Sequence, residues 1–200
     1  MKRQSYFIAL VAVLLALALV ACGGGDGGSS GPPVEMKEFD GSSFNVEYPS
    51  DWKESSIDMF GLTMVIFGKE ELSMTDLQSL DFGNMMTNDP LALIMSVPAE
   101  MAGDMGFDDI DSALDEFDNA IPEGEGEIIK QGDTSIGGAN GKIVIAKGNA
   151  PDVGDVGMHL VAAKKDDGAA IVFMGITPAT DRDRNLEIFQ YMHDSFQFTD

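Results

Sequence analysis

Apolar and polar positions change their spacing several times along the chain, and each change marks an element. In SFNVEYPSDW (43–52), Phe44, Val46 and Tyr48 alternate with polar neighbours, which predicts a half-buried strand closed by Pro49. GLTMVIFG (61–68) and LALIMSV (91–97) are almost wholly apolar and predict two more strands, the second stopped by Pro98. Residues 69–90 show no clean period between them and are expected to form loop with a short helix. From Asp108 to Ala120 the spacing lengthens to that of a helix. Ile110, Leu114, Phe117 and Ile121 share one face, Asp108 and Asp109 complement the positive end of the helix dipole, and Pro122 closes the segment.

Strand spacing returns after Gly124. GEIIKQGDTSI and GKIVIAKG flank GGANG, where Asn140-Gly141 predicts a type I′ hairpin turn. VGMHLVAAKKDDGAAIVFMGIT predicts two further strands about Asp166-Asp167-Gly168. Its unbroken apolar run from Ala169 to Ile176 predicts a central strand covered on both faces. Thr180 with Asp183 fits a capping box, opening a last helix that turns Ile188, Phe189, Met192 and Phe196 to the core. Successive hairpins with two helices give an α+β fold: one domain, 36–200, with helices packed on a largely antiparallel sheet.

Upstream, Lys2 and Arg3 precede 15 apolar residues, Phe7 to Ala21. That is short of the about 20 residues that span hydrocarbon, and it fits the h-region of a secretory signal. Leu19-Val20-Ala21-Cys22 resembles the lipobox of bacterial lipoproteins: an aliphatic residue, two small ones and a cysteine. The resemblance implies a diacylglyceryl thioether on Cys22, removal of residues 1–21 as signal peptide, and a further acyl chain on the new N-terminus. Lipidation also accounts for the chain's single cysteine, which has no disulfide partner in an exported protein. Residues 22–35 then form a tether. Gly23 to Pro33 is rich in Gly and Ser, and such a coil has an r.m.s. reach of about 18 Å. Two acyl chains are about what stable anchoring takes. The expected location is the extracytoplasmic face of the cell membrane, or an outer membrane where the source has one.

FNVEYPSDW also resembles the first strand of PsbP-like domains, a hydrophobic strand ending in Tyr-Pro and then Trp. The hairpin about Gly138 and Gly141, the strand AAIVFMGIT and the last helix running into HDSFQF follow that family's closing pattern. Together these cover about residues 43–53 and 132–198. The resemblance implies an α/β/α sandwich around an antiparallel sheet, with Trp52 as a core-edge anchor and Ser195-Phe196 as a helix-to-strand junction.

Charge narrows the function. The chain carries 34 acidic and 12 basic residues, a net charge of −22, and loss of Lys2 and Arg3 leaves it near −24. Nucleic acid is excluded as a partner, because phosphate binding needs clustered Lys and Arg. Lying flat on anionic lipid is disfavoured for the same reason. The acids are spread along the whole domain, which points to solubility before cation binding.

Candidate chemistry is thin. His193, Asp194 and Ser195 are adjacent triad letters, but successive residues on a helix face different ways. His159 alternates with Met158 and Leu160 and has no evident partner in the sequence. GGANGK lacks the first glycine and the Ser/Thr of a phosphate loop, and a strand follows it. Asp108, Asp111 and Asp115, with Glu116, share neighbouring turns without matching a calcium loop, and read as a solvated face. Eight of the 13 methionines fall between Met59 and Met105. Copper(I) could use thioethers, but adaptable packing or a re-packable contact surface is the simpler use. The expectation is a non-enzymatic lipoprotein, without cofactor, metal or catalytic residues, whose domain serves a protein partner. The alternative is a cation- or solute-binding lipoprotein using the acidic helix or the Met-rich segment.

Overall fold

Two antiparallel sheets carry the fold in the computed structural model, which describes residues 31–72, 89–105, 107, 110, 126–150 and 154–199. The small sheet holds β1 (Met36–Asp40), β2 (Phe44–Pro49) and β10 (Gln197–Phe198), in the order β1-β2-β10. The large sheet is built from β3 (Lys53–Met59), β4 (Leu62–Gly68), β5 (Leu91–Val97), β6 (Gly126–Ile136), β7 (Ala139–Ala150), β8 (Gly154–Lys164) and β9 (Ala170–Pro178). Its order is β3-β4-β5-β9-β8-β7-β6, with every neighbour antiparallel. The described helices are a single turn, α1 (Ala99–Ala102), and α2 (Arg182–Ser195). The fold is α+β and largely antiparallel, as the hairpin succession predicts.

β9 occupies the middle of the large sheet, between β5 and β8. Its apolar run is explained by cover on both faces. Phe173 and Ile171 join the main core with Phe67, Ile143, Val161 and α2's Ile188, Phe189 and Met192. On the opposite face Met174 packs with Ile57, Ile66, Leu91 and Leu93, and Ile110 packs on Val144 and Ala146. α2 supplies the cover on the first face, lying against β2, β8 and β9. The second helical layer of the expected sandwich would come from 108–120, which apart from Ile110 lies outside the described residues, as do 73–88 of the expected 69–90 loop. Val34 also packs on the main core, and the Glu35 carbonyl accepts from the Ser50 N–H at 2.8 Å.

Two expectations need correction. The β6–β7 turn falls at Gly137-Gly138, not at Asn140-Gly141. Both glycines have positive φ, 56° and 84°, as a type I′ turn requires, and Asn140 and Gly141 sit in β7 opposite Ser135 and Thr134. Gly141 has a different task. A Cβ there would lie 2.2 Å from the Ala162 carbonyl oxygen, so the strand pair admits only glycine at this point. Gly141→Ala is expected to lose about 1–3 kcal/mol, the usual cost of overpacking. A urea midpoint equal to wild type would show that β7 and β8 are not so close.

The second correction is at α2. Its N-cap is Asp181, left-handed at φ 55°, with no side-chain cap hydrogen bond, so Thr180 does not form the expected box. The first turn is held otherwise: Asn185 Nδ2 donates to Thr177 Oγ1 at 2.8 Å, and Lys147 on β7 pairs with Asp183 at 2.9 Å. At the other end Ser195 does end the helix, and Phe196 leads into β10.

Candidate functional site

Two polar places stand out among the described residues: a buried histidine pair under α2, and an open cleft beside the start of that helix. In β8, His159 is opposite Ile145 and Gly175, and alternation turns it toward α2. It is fully buried, and neither ring nitrogen has a hydrogen-bond partner. Its ring meets Phe173 and His193 edge-on, with centroids 5.4 and 5.5 Å away. His193 reaches it from α2 and is itself 2% exposed. His193 Nε2 lies 2.9 Å from the Ser135 carbonyl oxygen, which requires the proton on Nε2 and leaves Nδ1 as acceptor, 3.4 Å from Gln190 Nε2.

Burial dominates the titration of both rings. It pushes His159 down to about 3, with the charges of His193 and Lys130 adding to the effect. Burial also lowers His193; the Ser135 hydrogen bond and Asp194 oppose this, and Lys130 reinforces it. Both rings are therefore neutral at neutral pH.

The adjacent triad letters are separated by their partners. Ser195 Oγ accepts from the Glu47 N–H at 3.0 Å and donates to the Met192 carbonyl at 2.9 Å. Asp194 accepts from Gln190 Nε2 at 2.8 Å. With the His193–Ser135 bond they tie the end of α2 to β2 and β6, and none joins His193 to the serine. Tyr191 adds a further tie, its hydroxyl donating to Glu47 Oε2 at 2.7 Å.

The cleft, about 280 Å³, lies among Val34, Trp52, Lys69, Asp89, Asp181 and Arg184. Lys69 and Asp51, both in its lining, are ion-paired. Among the described lining residues Thr180 carries a hydroxyl, and none is a histidine. Such a lining offers charges of both signs to a polar ligand.

No protein-family profile matches the chain, and no curated protein sequence does. Several solved structures are similar to it in outline, three of them as follows. Cyanobacterial PsbP (CyanoP) of Synechocystis sp. is 16% identical, with a TM-score of 0.45 over 88% of this chain and 98% of that one. The Ran-binding protein Mog1p of Saccharomyces cerevisiae is 13% identical, with a TM-score of 0.49 over 84% and 97%. LpqN of Mycobacterium tuberculosis, described as involved in cell envelope biogenesis, is 10% identical, with a TM-score of 0.46 over 83% and 91%.

Of the residues singled out by sequence, Trp52 is buried in the main core. Met64, Met95 and Met101 pack against buried clusters, while Met59 and Met105 are exposed. Cys22, Asp108, Asp111 and Asp115 lie outside the described residues. Among those described, no three His, Cys, Asp or Glu side chains converge as metal ligands, and no helix is long and apolar enough to cross a membrane. The meeting of His159 with His193 is not legible in the sequence. One sign was available: His193 follows Phe189 by one helical turn, on the face that Phe189, Met192 and Phe196 bury.

Proposed function

We infer that this chain is a membrane-anchored lipoprotein whose PsbP-like domain acts as a non-catalytic binding or accessory module for an extracytoplasmic protein partner. The observation that carries the reading is the N-terminal pattern. A short apolar run after Lys2 and Arg3 ends in Leu19-Val20-Ala21-Cys22, followed at once by a Gly/Ser-rich stretch. The domain's polar side chains add support. His193, Ser195, Tyr191 and Asn185 are engaged in holding α2 to the sheets, which is structural use. Lipid on Cys22 would supply the membrane attachment, and the acidic surface would keep the domain soluble above it.

Cys22→Ser tests the anchor. The variant is expected to appear in the soluble fraction, or to accumulate unprocessed with residues 1–21 still attached. Mature-sized Cys22→Ser protein recovered with membranes would refute lipid anchoring.

A further inference from the structure

We propose that the tip of the β3–β4 hairpin, with Phe60 at its apex, is the seat of a protein partner presenting an apolar pocket bordered by lysine and arginine. The proposal rests on the binding-module reading above and adds to it the surface and the chemistry. Met59 pairs with Leu62, so Phe60 and Gly61 form a two-residue turn, with φ of 54° and 85°. Asn, Asp or Gly fill the first position of such a turn with little strain, whereas a bulky aromatic there is a conformational outlier. Phe60 is also 94% exposed, so its ring gains no burial among the described residues to offset the strain. A side chain that is both strained and wet does nothing for folding, and contact with another molecule is the use left to it.

The surroundings specify the contact. Met59 is 54% exposed beside Phe60. Gly61 lies against Pro98, and Leu62 and Met101 both pack on the cluster of Val97, Ala102 and Ala170, with Met101 one turn before the exposed Met105. Around these apolar groups Asp58, Glu100 and Asp104 are exposed. The nearby β8–β9 turn, which reaches Ala99 through Gly168, brings Lys165 already paired with Asp167 at 3.1 Å. An apolar apex with an acidic border complements an apolar pocket with a basic one, and it repels both anionic lipid and a second copy of a chain of net charge −22.

The apex is also distant from the point where the chain enters the domain. The chain enters the domain at Val34, which shares the cleft with Pro49 and Trp52, just before β3 begins. β3 then runs roughly 20 Å to Met59. Val34 and Phe60 thus lie toward opposite ends of β3.

The test places a photoreactive benzoylphenylalanine at position 60 of the full-length protein in intact cells, with positions 129 and 191 as comparison sites. A discrete protein adduct from position 60 is expected. That protein, once purified, should bind wild type at least tenfold more tightly than Phe60→Asn, with affinity falling as salt rises. Because Asn-Gly suits the turn, Phe60→Asn should melt at or above the wild-type temperature, which separates lost contact from lost folding. Adducts to lipid or to another copy of the chain, unchanged affinity in Phe60→Asn, or affinity indifferent to salt would each overturn the proposal. Protein adducts from 129 or 191 alone would move the partner to another surface and leave the binding-module reading standing. Absence of protein adducts at all three sites would remove both.

Discussion

Trp52→Ala is expected to lower the free energy of unfolding by about 3–5 kcal/mol, the range for emptying a large aromatic site in a core. The indole is 1% exposed, although it also borders the cleft. It meets Phe189 edge-on, with ring centroids 6.2 Å apart, so it couples the turn after β2 to α2. The turn is itself fixed, since the Trp52 N–H donates to the Pro49 carbonyl at 3.0 Å. Nothing in α2 can move in to fill the space without losing Phe189 and Ile188 from the same cluster. Circular dichroism in urea measures the loss without needing the chain's single tryptophan as probe. A loss under about 1 kcal/mol would mean that the ring is a surface group and not a core anchor.

Acid should destabilise the domain through His159, on the order of 3 kcal/mol by pH 4.5, from about 1.4 kcal/mol for each pH unit of a fully developed shift. Well above pH 6.5 the imidazole is neutral in both folded and unfolded chains and contributes no pH dependence. Below that, the unfolded chain takes up a proton that the buried ring refuses until about pH 3. Stability therefore declines as pH falls through this window, and the slope vanishes below it. His193, also lowered, acts in the same direction. The groups that set the balance are Lys130 on β6, which disfavours both cations, and Asp194 on α2, which favours that of His193. His159→Leu removes the effect while keeping the site filled. The variant should gain on wild type by about 3 kcal/mol between pH 7.5 and 4.5. Parallel stability profiles over that range would show that the ring is hydrated or already charged in the folded protein. Comparing the two proteins cancels the many surface carboxylates, which titrate alike in both.

Local spacing determined most of the described elements. β4, β5, β8, β9 and α2 were readable because each is long and apolar enough that one period dominates, and β9's unbroken run marked it as central before any pairing was known. β3 and β1 were not readable. β3 is an edge strand burying only Ser55 and Ile57, and β1 has no buried residue, so neither carries the alternation that marks a half-buried strand. β10 is two residues long and exists because α2 delivers it to β2. The turn correction has a similar origin. Asn-Gly is a statistical turn signal, but ten paired residues of β6 fix the register, and that register puts Gly137-Gly138 at the bend. Nor could local pattern show that Phe60 stands in the open at a hairpin apex, since Phe60 continues an apolar stretch with Leu62 and Met64. The sequence by itself determined the fold class, the acidic surface and the expectation of a lipid anchor on Cys22, because composition and short-range spacing are properties of neighbouring residues. Tertiary structure alone decided that His159 meets His193, that Gly141 lies under the Ala162 carbonyl, and that Phe60 is uncovered, because each depends on residues brought together from distant parts of the chain.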